Sequence, residues 1–250
     1  MKLHVPEIGQ LEEFTIRTYE IDRNKDCTVP SLIKLMHEAA MQNVLRIKLS
    51  VWDLEPQGIT WVLMRKYLKI KRLPRLGERV QILTHPAGFE KFFTYRDYRI
   101  YDSEQNLIAQ SSSTWLLMDT IKRRMTRMPN NILSYNEQMP SLENCLERPS
   151  REKLVAFERV DYAKAFTVGW YDLDFNEHLN NVFYTQWMLE AFPEEHLRER
   201  QLNEFKIEYR VEAQLNDQIV SEIQKLDEDV FLHRLRCGDK ELAVAQSEWH

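Results

Sequence analysis

Apolar and polar residues change period along the chain in a way that names its elements. Over 14–20 they alternate, as on a half-buried strand. From Pro30 onward Leu32, Leu35, Met36, Ala39, Val44 and Ile47 recur at three- and four-residue steps, so a helix opens at the proline and presents one apolar stripe. Stretches rich in aromatic and β-branched residues follow at 61–71, 78–85, 92–101 and 107–118 and predict strands. The second half runs the same way: a strand over 165–170, a helix over 181–192 stopped by Pro193, then strands near 205–211, 218–224, 230–237 and 242–249. One long helix against a mostly antiparallel sheet, made twice, is an α+β arrangement. Pro129, Pro140 and Pro149 among Asn, Ser and Glu predict a surface connector, which gives domains over 1–128 and 159–250 with a linker over 129–158.

The similarity of the halves extends to residues. Tyr19-Glu20-Ile21-Asp22-Arg23-Asn24 matches Tyr171-Asp172-Leu173-Asp174-Phe175-Asn176, 152 positions later. Leu76-Gly77-Glu78-Arg79-Val80 matches Leu215-Asn216-Asp217-Gln218-Ile219 at 139, and Ala109-Gln110-Ser111 matches Ala245-Gln246-Ser247 at 136. The matches keep their order and the offset only shrinks, which reads as one duplicated unit with a shorter second copy.

Composition removes several function classes. The chain has 250 residues, 43% of them apolar, enough for sizeable cores. A formal charge of -5 argues against a general nucleic-acid binder. No apolar run is long enough to span a bilayer, and residues 1–10 lack a signal-peptide pattern, so a cytoplasmic location is expected. The six glycines are dispersed, so neither a dinucleotide fingerprint, a P-loop nor a Gly-x-Ser-x-Gly elbow can be built. Cys27, Cys145 and Cys237 form no disulfide or zinc framework, and the histidines show no metal-ligand spacing, so no metal or other cofactor is expected.

The densest polar cluster runs from Asp174 to Asn181, just ahead of the second helix. Asp174, Asn176 and His178 sit two apart; fully extended, the outer two would stand ~13 Å apart, so cooperation requires the chain to curl into the helix start. Asn180 or Asn181 suits the N-cap there, and backbone N–H groups at a helix start can stabilise an oxyanion. Asp174 and Asn176 pair with Asp22 and Asn24 in the repeat, as a turn-building pair would, whereas His178 pairs with Asp26. A titratable imidazole in one copy alone reads as one active and one retired site. Glu208 and Glu212 are the acids next in line, and the first half has Lys69 and Leu73 in their places. Alternation puts Phe205, Ile207, Tyr209 and Val211 on one face and Glu212 on the other, so Glu212 reaches the helix start only across a bulge or at an interface between halves.

Asp172-Leu173-Asp174-Phe175-Asn176-Glu177-His178-Leu179-Asn180-Asn181-Val182, followed by Tyr184, closely resembles the signature of the acyl-[acyl-carrier-protein] thioesterases, the plant plastid chain terminators and their bacterial relatives. Glu208-Tyr209-Arg210-Val211-Glu212 resembles that family's second motif, and Phe14 to Ile21, Trp61-Val62, Ser111 to Trp115 and Arg123-Arg124 fall where it has similar residues. The resemblance implies a tandem (double) hotdog fold, each curved antiparallel sheet wrapping a long helix. It also implies hydrolysis of fatty acyl-carrier-protein thioesters by Asp174, Asn176, His178 and Glu212. One carboxylate would activate water or attack the carbonyl directly; the sequence leaves that choice open. Plant members carry a cysteine after the catalytic glutamate, where this chain has Ala213, so a Cys–His mechanism there is excluded. A start at Met1 without a Ser/Arg-rich transit segment fits a bacterial, cytoplasmic relative.

For the acyl tail, Met36 and Met41 on the first helix and Trp61, Val62 and Met64 on the adjacent strand are the expected substrate-binding wall. Lys122, Arg123, Arg124 and Arg127 form a basic run in an acidic chain and are expected to dock the acidic acyl carrier protein. A second copy of the chain stays open as a further partner. An acyl-CoA thioesterase of the same fold, a hotdog dehydratase and a non-catalytic acyl-thioester sensor are the rival readings.

Overall fold

The computed structural model describes residues 3–150 and 154–250, and the chain divides into two compact units, Met1–Pro149 and Ser150–His250. In the first, β1 (Gln10–Thr15) leads to α1 (Val29–Arg46) and the short α2 (Val51–Leu54). The strands β2 (Ile59–Ile70), β3 (Arg79–Glu90), β4 (Phe93–Asp102) and β5 (Leu107–Asp119) follow, then β6 (Arg124–Met125), which pairs with β5, and α3 (Asn130–Leu133). The sheet order is β1-β3-β4-β5-β2, antiparallel throughout. Thr28 caps α1, its Oγ1 accepting the Ser31 N–H at 3.1 Å, and Pro30 supplies a preset φ in the first turn. The stripe Leu32, Leu35, Met36 and Ala39 is buried and α1 packs on β1 and β3. Each large side chain on that stripe contributes ~1.5–3 kcal/mol, which holds the helix to the sheet.

The second unit repeats this plan. It contains β7 (Tyr162–Thr167), α4 (Asn181–Leu189), α5 (Glu194–Glu199), β8 (Leu202–Tyr209), β9 (Gln218–Lys225), β10 (Val230–Cys237) and β11 (Lys240–Trp249). Its sheet order is β7-β9-β10-β11-β8, again antiparallel, so its five strands match β1-β3-β4-β5-β2 of the first unit, and the short β6 has no counterpart among the described residues. Among the described residues no helix is long and apolar enough to cross a membrane.

Several boundaries differ from the sequence pattern. The strands expected over 14–20 and 165–170 end at Thr15 and Thr167, and the residues after them fold into 3-10 turns, Thr18–Glu20 and Trp170–Asp172. In each turn an acid reaches back to the chain: Glu20 Oε2 accepts the Arg17 N–H at 2.7 Å and Asp172 Oδ2 accepts the Gly169 N–H at 2.8 Å. The helix expected over 181–192 stops at Leu189, with Glu190 as its C-cap and the Phe192 N–H donating to the Leu189 carbonyl at 3.2 Å in a closing turn.

The expected linker, 129–158, is fastened structure over much of its length. Ile132 is fully buried, the Tyr135 hydroxyl donates to the Ile47 carbonyl at 2.7 Å, and the Leu146 N–H donates to Asp97 at 2.7 Å. The Arg148 guanidinium lies over the Tyr95 ring at 4.4 Å. Pro, Asn and Ser signal the absence of a regular element, which is not the absence of attachment. Residues 151–153 of that segment lie outside the described residues.

The third repeat match is two residues out of register. Lys69 faces Gln110 across the first sheet and its counterpart Glu208 faces Val244, so Gln110 corresponds to Val244 rather than Gln246. The hairpin between β10 and β11 is shorter than the one between β4 and β5, which accounts for the drift.

Candidate active site

The curl required by the Asp174–Asn181 cluster is built by Asp174 itself. Its Oδ1 accepts the Asn176 N–H at 2.8 Å and the His178 N–H at 3.3 Å, and the Asp174 N–H donates to the His178 carbonyl at 2.8 Å. Glu177 takes the left-handed conformation, φ 62°, that such a tight turn needs. The first unit makes the same turn: Asp22 accepts from Asn24 at 2.8 Å and Asp26 at 3.3 Å, with Lys25 at φ 68°. Asp174 and Asn176 thus share the turn-building role of their counterparts, and the exposed Asn176 amide makes no hydrogen bond among the described residues.

Past the end of β8, the N–H groups of Arg210 and Val211 both donate to the Leu242 carbonyl, at 2.9 and 3.1 Å. Two donors on one acceptor make a bulge, and the bulge resets the alternation that had aimed Glu212 away. The Leu179 N–H then donates to the Ala213 carbonyl at 2.8 Å, so the preceding residues on each side, His178 and Glu212, come together. His178 Nε2 stands 3.3 Å from Glu212 Oε2, both side chains half-buried. Tyr184, whose polar end the helical pattern did not mark, holds this corner: its hydroxyl donates to the Val211 carbonyl at 3.1 Å and accepts the Ala213 N–H at 3.2 Å. Burial pushes the Tyr184 phenol well above its ordinary range, and the nearby negative charges of Glu212 and Asp174 push it the same way.

In the first unit the corresponding corner carries Asp26 and Leu73, and Asp26 is taken by Arg75, Oδ1 to Nε 3.2 Å. Glu208, the other candidate acid, is paired with Arg210 at 3.0 Å. The helix start keeps one backbone donor, Asn181 N–H, without a hydrogen bond among the described residues. Asn180 is the N-cap, and the N–H groups of Leu179, Asn180, Val182 and Phe183 are already bonded to Ala213, Asp172 and Asn180. Cys27 is no alternative nucleophile, since burial foremost, with Glu20 and Asp22 beside it, pushes its thiol up to about 12.

The residues expected for the acyl tail lie in the first unit. Met36 is fully buried on α1, while Met41, Val62 and Met64 are half-buried. Trp61 is half-buried, packs against the cluster of Ile8, Ile47, Leu49 and Leu54, and donates its indole N–H to the Leu49 carbonyl at 3.0 Å. Lys122, Arg123, Arg124 and Arg127 are all exposed around the turn after β5. Asp119 shapes that turn by accepting the Ile121 and Lys122 N–H groups at 3.1 and 2.8 Å, and Lys122 Nζ lies 3.6 Å from its other oxygen.

Two family models match along the chain: the acyl-ACP thioesterase N-terminal domain over residues 10–135 and the acyl-ACP thioesterase C-terminal domain over residues 157–250. The chain belongs to the acyl-ACP thioesterase family. Among curated relatives of this acyl-ACP thioesterase family member, the chloroplastic palmitoyl-acyl carrier protein thioesterase of Cuphea hookeriana is 27% identical over 257 residues. That match covers 95% of this chain and 61% of the Cuphea protein, so the chain spans about three-fifths of that relative's length. The oleoyl-acyl carrier protein thioesterase of Coriandrum sativum is 28% identical over 253 residues, covering 95% of this chain and 68% of that protein. Among solved structures, the 12:0-ACP thioesterase from Umbellularia californica superposes with a TM-score of 0.89 at 21% identity, covering 100% of this chain and 99% of that one. An acyl-ACP thioesterase from Bacteroides thetaiotaomicron gives 0.87 at 20% identity, covering 97% and 98%. These likenesses establish the fold, a hotdog unit made twice in tandem.

Proposed function

We propose that this chain hydrolyses fatty acyl-carrier-protein thioesters to free fatty acid and carrier protein, ending chain elongation. The His178–Glu212 contact at 3.3 Å, formed by the two residues that the first copy lacks, is the observation that carries the reading. Glu212 accepts a proton from water as the water oxygen adds to the thioester carbonyl carbon. The tetrahedral intermediate collapses with cleavage of the C–S bond, and protonated His178 gives its Nε2 proton to the departing sulfur. Glu212 then returns the proton to His178 across their contact, which closes the cycle with one water consumed. Asp174, with one oxygen committed to two backbone donors, fits the task of holding His178 in place better than that of attacking the carbonyl. The exposed Asn176 amide orients the carbonyl or the water. The scheme calls on no metal or cofactor, and three free cysteines suit a reducing, cytoplasmic setting.

Thiol release from a panel of acyl-carrier proteins of different chain length is the direct test, with acyl-CoA offered at equal concentration as competitor. No release at any length overturns the reading, and a preference for acyl-CoA replaces the carrier protein as substrate. The interior of the first unit around Met36, Met41, Trp61, Val62 and Met64 is the proposed seat of the acyl tail. Met41→Trp, at a half-buried position, is expected to shift the product profile to shorter acids.

Lys122, Arg123, Arg124 and Arg127 are proposed to dock the acidic carrier protein. Changing Arg123 and Arg124 to Glu should raise KM for acyl-carrier protein roughly 10-fold and spare a small acyl thioester. Added salt should act with the same selectivity, since exposed charges are screened over about 10 Å at 0.1 M. If the double change slows both substrates alike, the patch serves the fold and docking lies elsewhere.

A further inference from the structure

We infer that Tyr184 is a positioning residue for Glu212, its hydroxyl clamping the backbone on either side of that carboxylate through the Val211 carbonyl and the Ala213 N–H. The inference rests on the role proposed above for Glu212.

Glu212 needs such a clamp. It lies beyond the last ladder pair of β8, after a bulge in which Arg210 and Val211 share one acceptor, so the regular strand ladder does not set its position. Tyr184 is buried on α4, and its ring packs edge-on against Tyr209 with centroids 5.5 Å apart at 71°. The hydroxyl is thus carried on a fixed arm. Both its donor and one acceptor site are occupied by backbone, which leaves it to place Glu212 rather than to move protons itself.

The first copy of the repeat supplies the control. It has the same bulge, with Lys71 and Arg72 both donating to the Ile108 carbonyl at 2.8 and 3.3 Å, and the same tie, Cys27 N–H to Pro74 carbonyl at 2.8 Å. There Tyr184 is replaced by Leu32 and Ala213 by Pro74, at the offsets of 152 and 139 that relate the copies. Leucine has no hydroxyl and proline has no N–H, so the hydroxyl and the N–H it would accept are missing together. The corner therefore folds without a clamp. The clamp accompanies His178 and Glu212 and is absent where Asp26 and Leu73 stand.

The experiment is a double-mutant cycle on the full chain, with acyl-carrier-protein hydrolysis as the assay. Tyr184→Phe should lower kcat on the order of 10-fold to 10²-fold with KM within about twofold, because a misplaced base costs rate and not binding. On a Glu212→Gln background the same change should alter kcat less than about twofold, since the group it positions is gone. Tyr184→Phe with Ala213→Pro rebuilds the first-copy arrangement; its melting temperature should recover towards wild type while kcat stays low. An unchanged kcat in Tyr184→Phe, an equal loss on the Glu212→Gln background, or recovery of kcat with the proline would each overturn the inference. Failure of the site reading shows separately, as a Glu212→Gln variant that hydrolyses normally.

Discussion

Alanine at position 178 is expected to lower kcat on acyl-carrier protein by on the order of 10²- to 10⁴-fold while the melting temperature moves by only a few degrees. His178 is half-buried in a turn whose hydrogen bonds are made by its backbone, so truncating the ring removes the contact to Glu212 and leaves the turn standing. The first copy sharpens the test. Asp26→Ala breaks an exposed pair with Arg75, worth under about 1 kcal/mol, and should leave kcat unchanged. Asp22→Ala deprives two backbone donors of their acceptor and should cost about 1–2 kcal/mol of stability with no loss of rate. Asp174→Ala removes the same two bonds beside His178 and should cost both. Steady-state kinetics with thermal melts on the four variants decide the matter. Equal rate losses at positions 26 and 178 would refute a single active site.

The turn at Asp174 was legible in the sequence because Asp22 and Asn24 repeat it, and a pair used twice is more readily a backbone device than a catalytic one. The meeting of His178 with Glu212 was legible only as a condition. Alternation over 205–211 carries Glu212 to the other face, and the phase is reset by two N–H groups sharing the Leu242 carbonyl, a bond pattern that side-chain periodicity does not encode. The strand limits failed for a related reason. Thr18–Glu20 and Trp170–Asp172 continue an alternating pattern while folding as 3-10 turns, since an acid three residues on satisfies the backbone. Tyr184 did leave a trace, the paired exchange with Leu32 and Pro74, which acquires meaning only once positions 184 and 213 are seen to touch.

Acid should weaken the second unit, with His233 alone contributing about 2 kcal/mol of lost stability between pH 7 and pH 5. This ring is buried against Phe192 and Phe205, at centroid distances of 5.4 and 5.7 Å, with Nε2 2.7 Å from the Ser247 hydroxyl. Burial there disfavours the imidazolium and pushes His233 down to about 3. In the unfolded chain the same ring titrates near its ordinary value of about 6.5. The unfolded state therefore binds more protons at every pH between the two values, so the full stability is present above about 6.5 and drains away as pH falls towards 3. His196 acts in the same direction. It stacks on Phe192 at 4.0 Å, with Phe231 and Trp249 edge-on to it, and its Nε2 has no hydrogen-bond partner among the described residues. Burial first, then the charges of Arg200 and Lys225, outweigh Asp229 and push it down to about 4. Its ring is less deeply buried than that of His233, so its share is smaller. Urea unfolding of the full chain at pH 7 and pH 5, followed by tryptophan fluorescence, measures the sum. His233→Leu should lose about 2 kcal/mol less than wild type over that interval, whatever the substitution does to stability at pH 7. A variant that keeps the wild-type pH slope would show that His233 is not where the protons go.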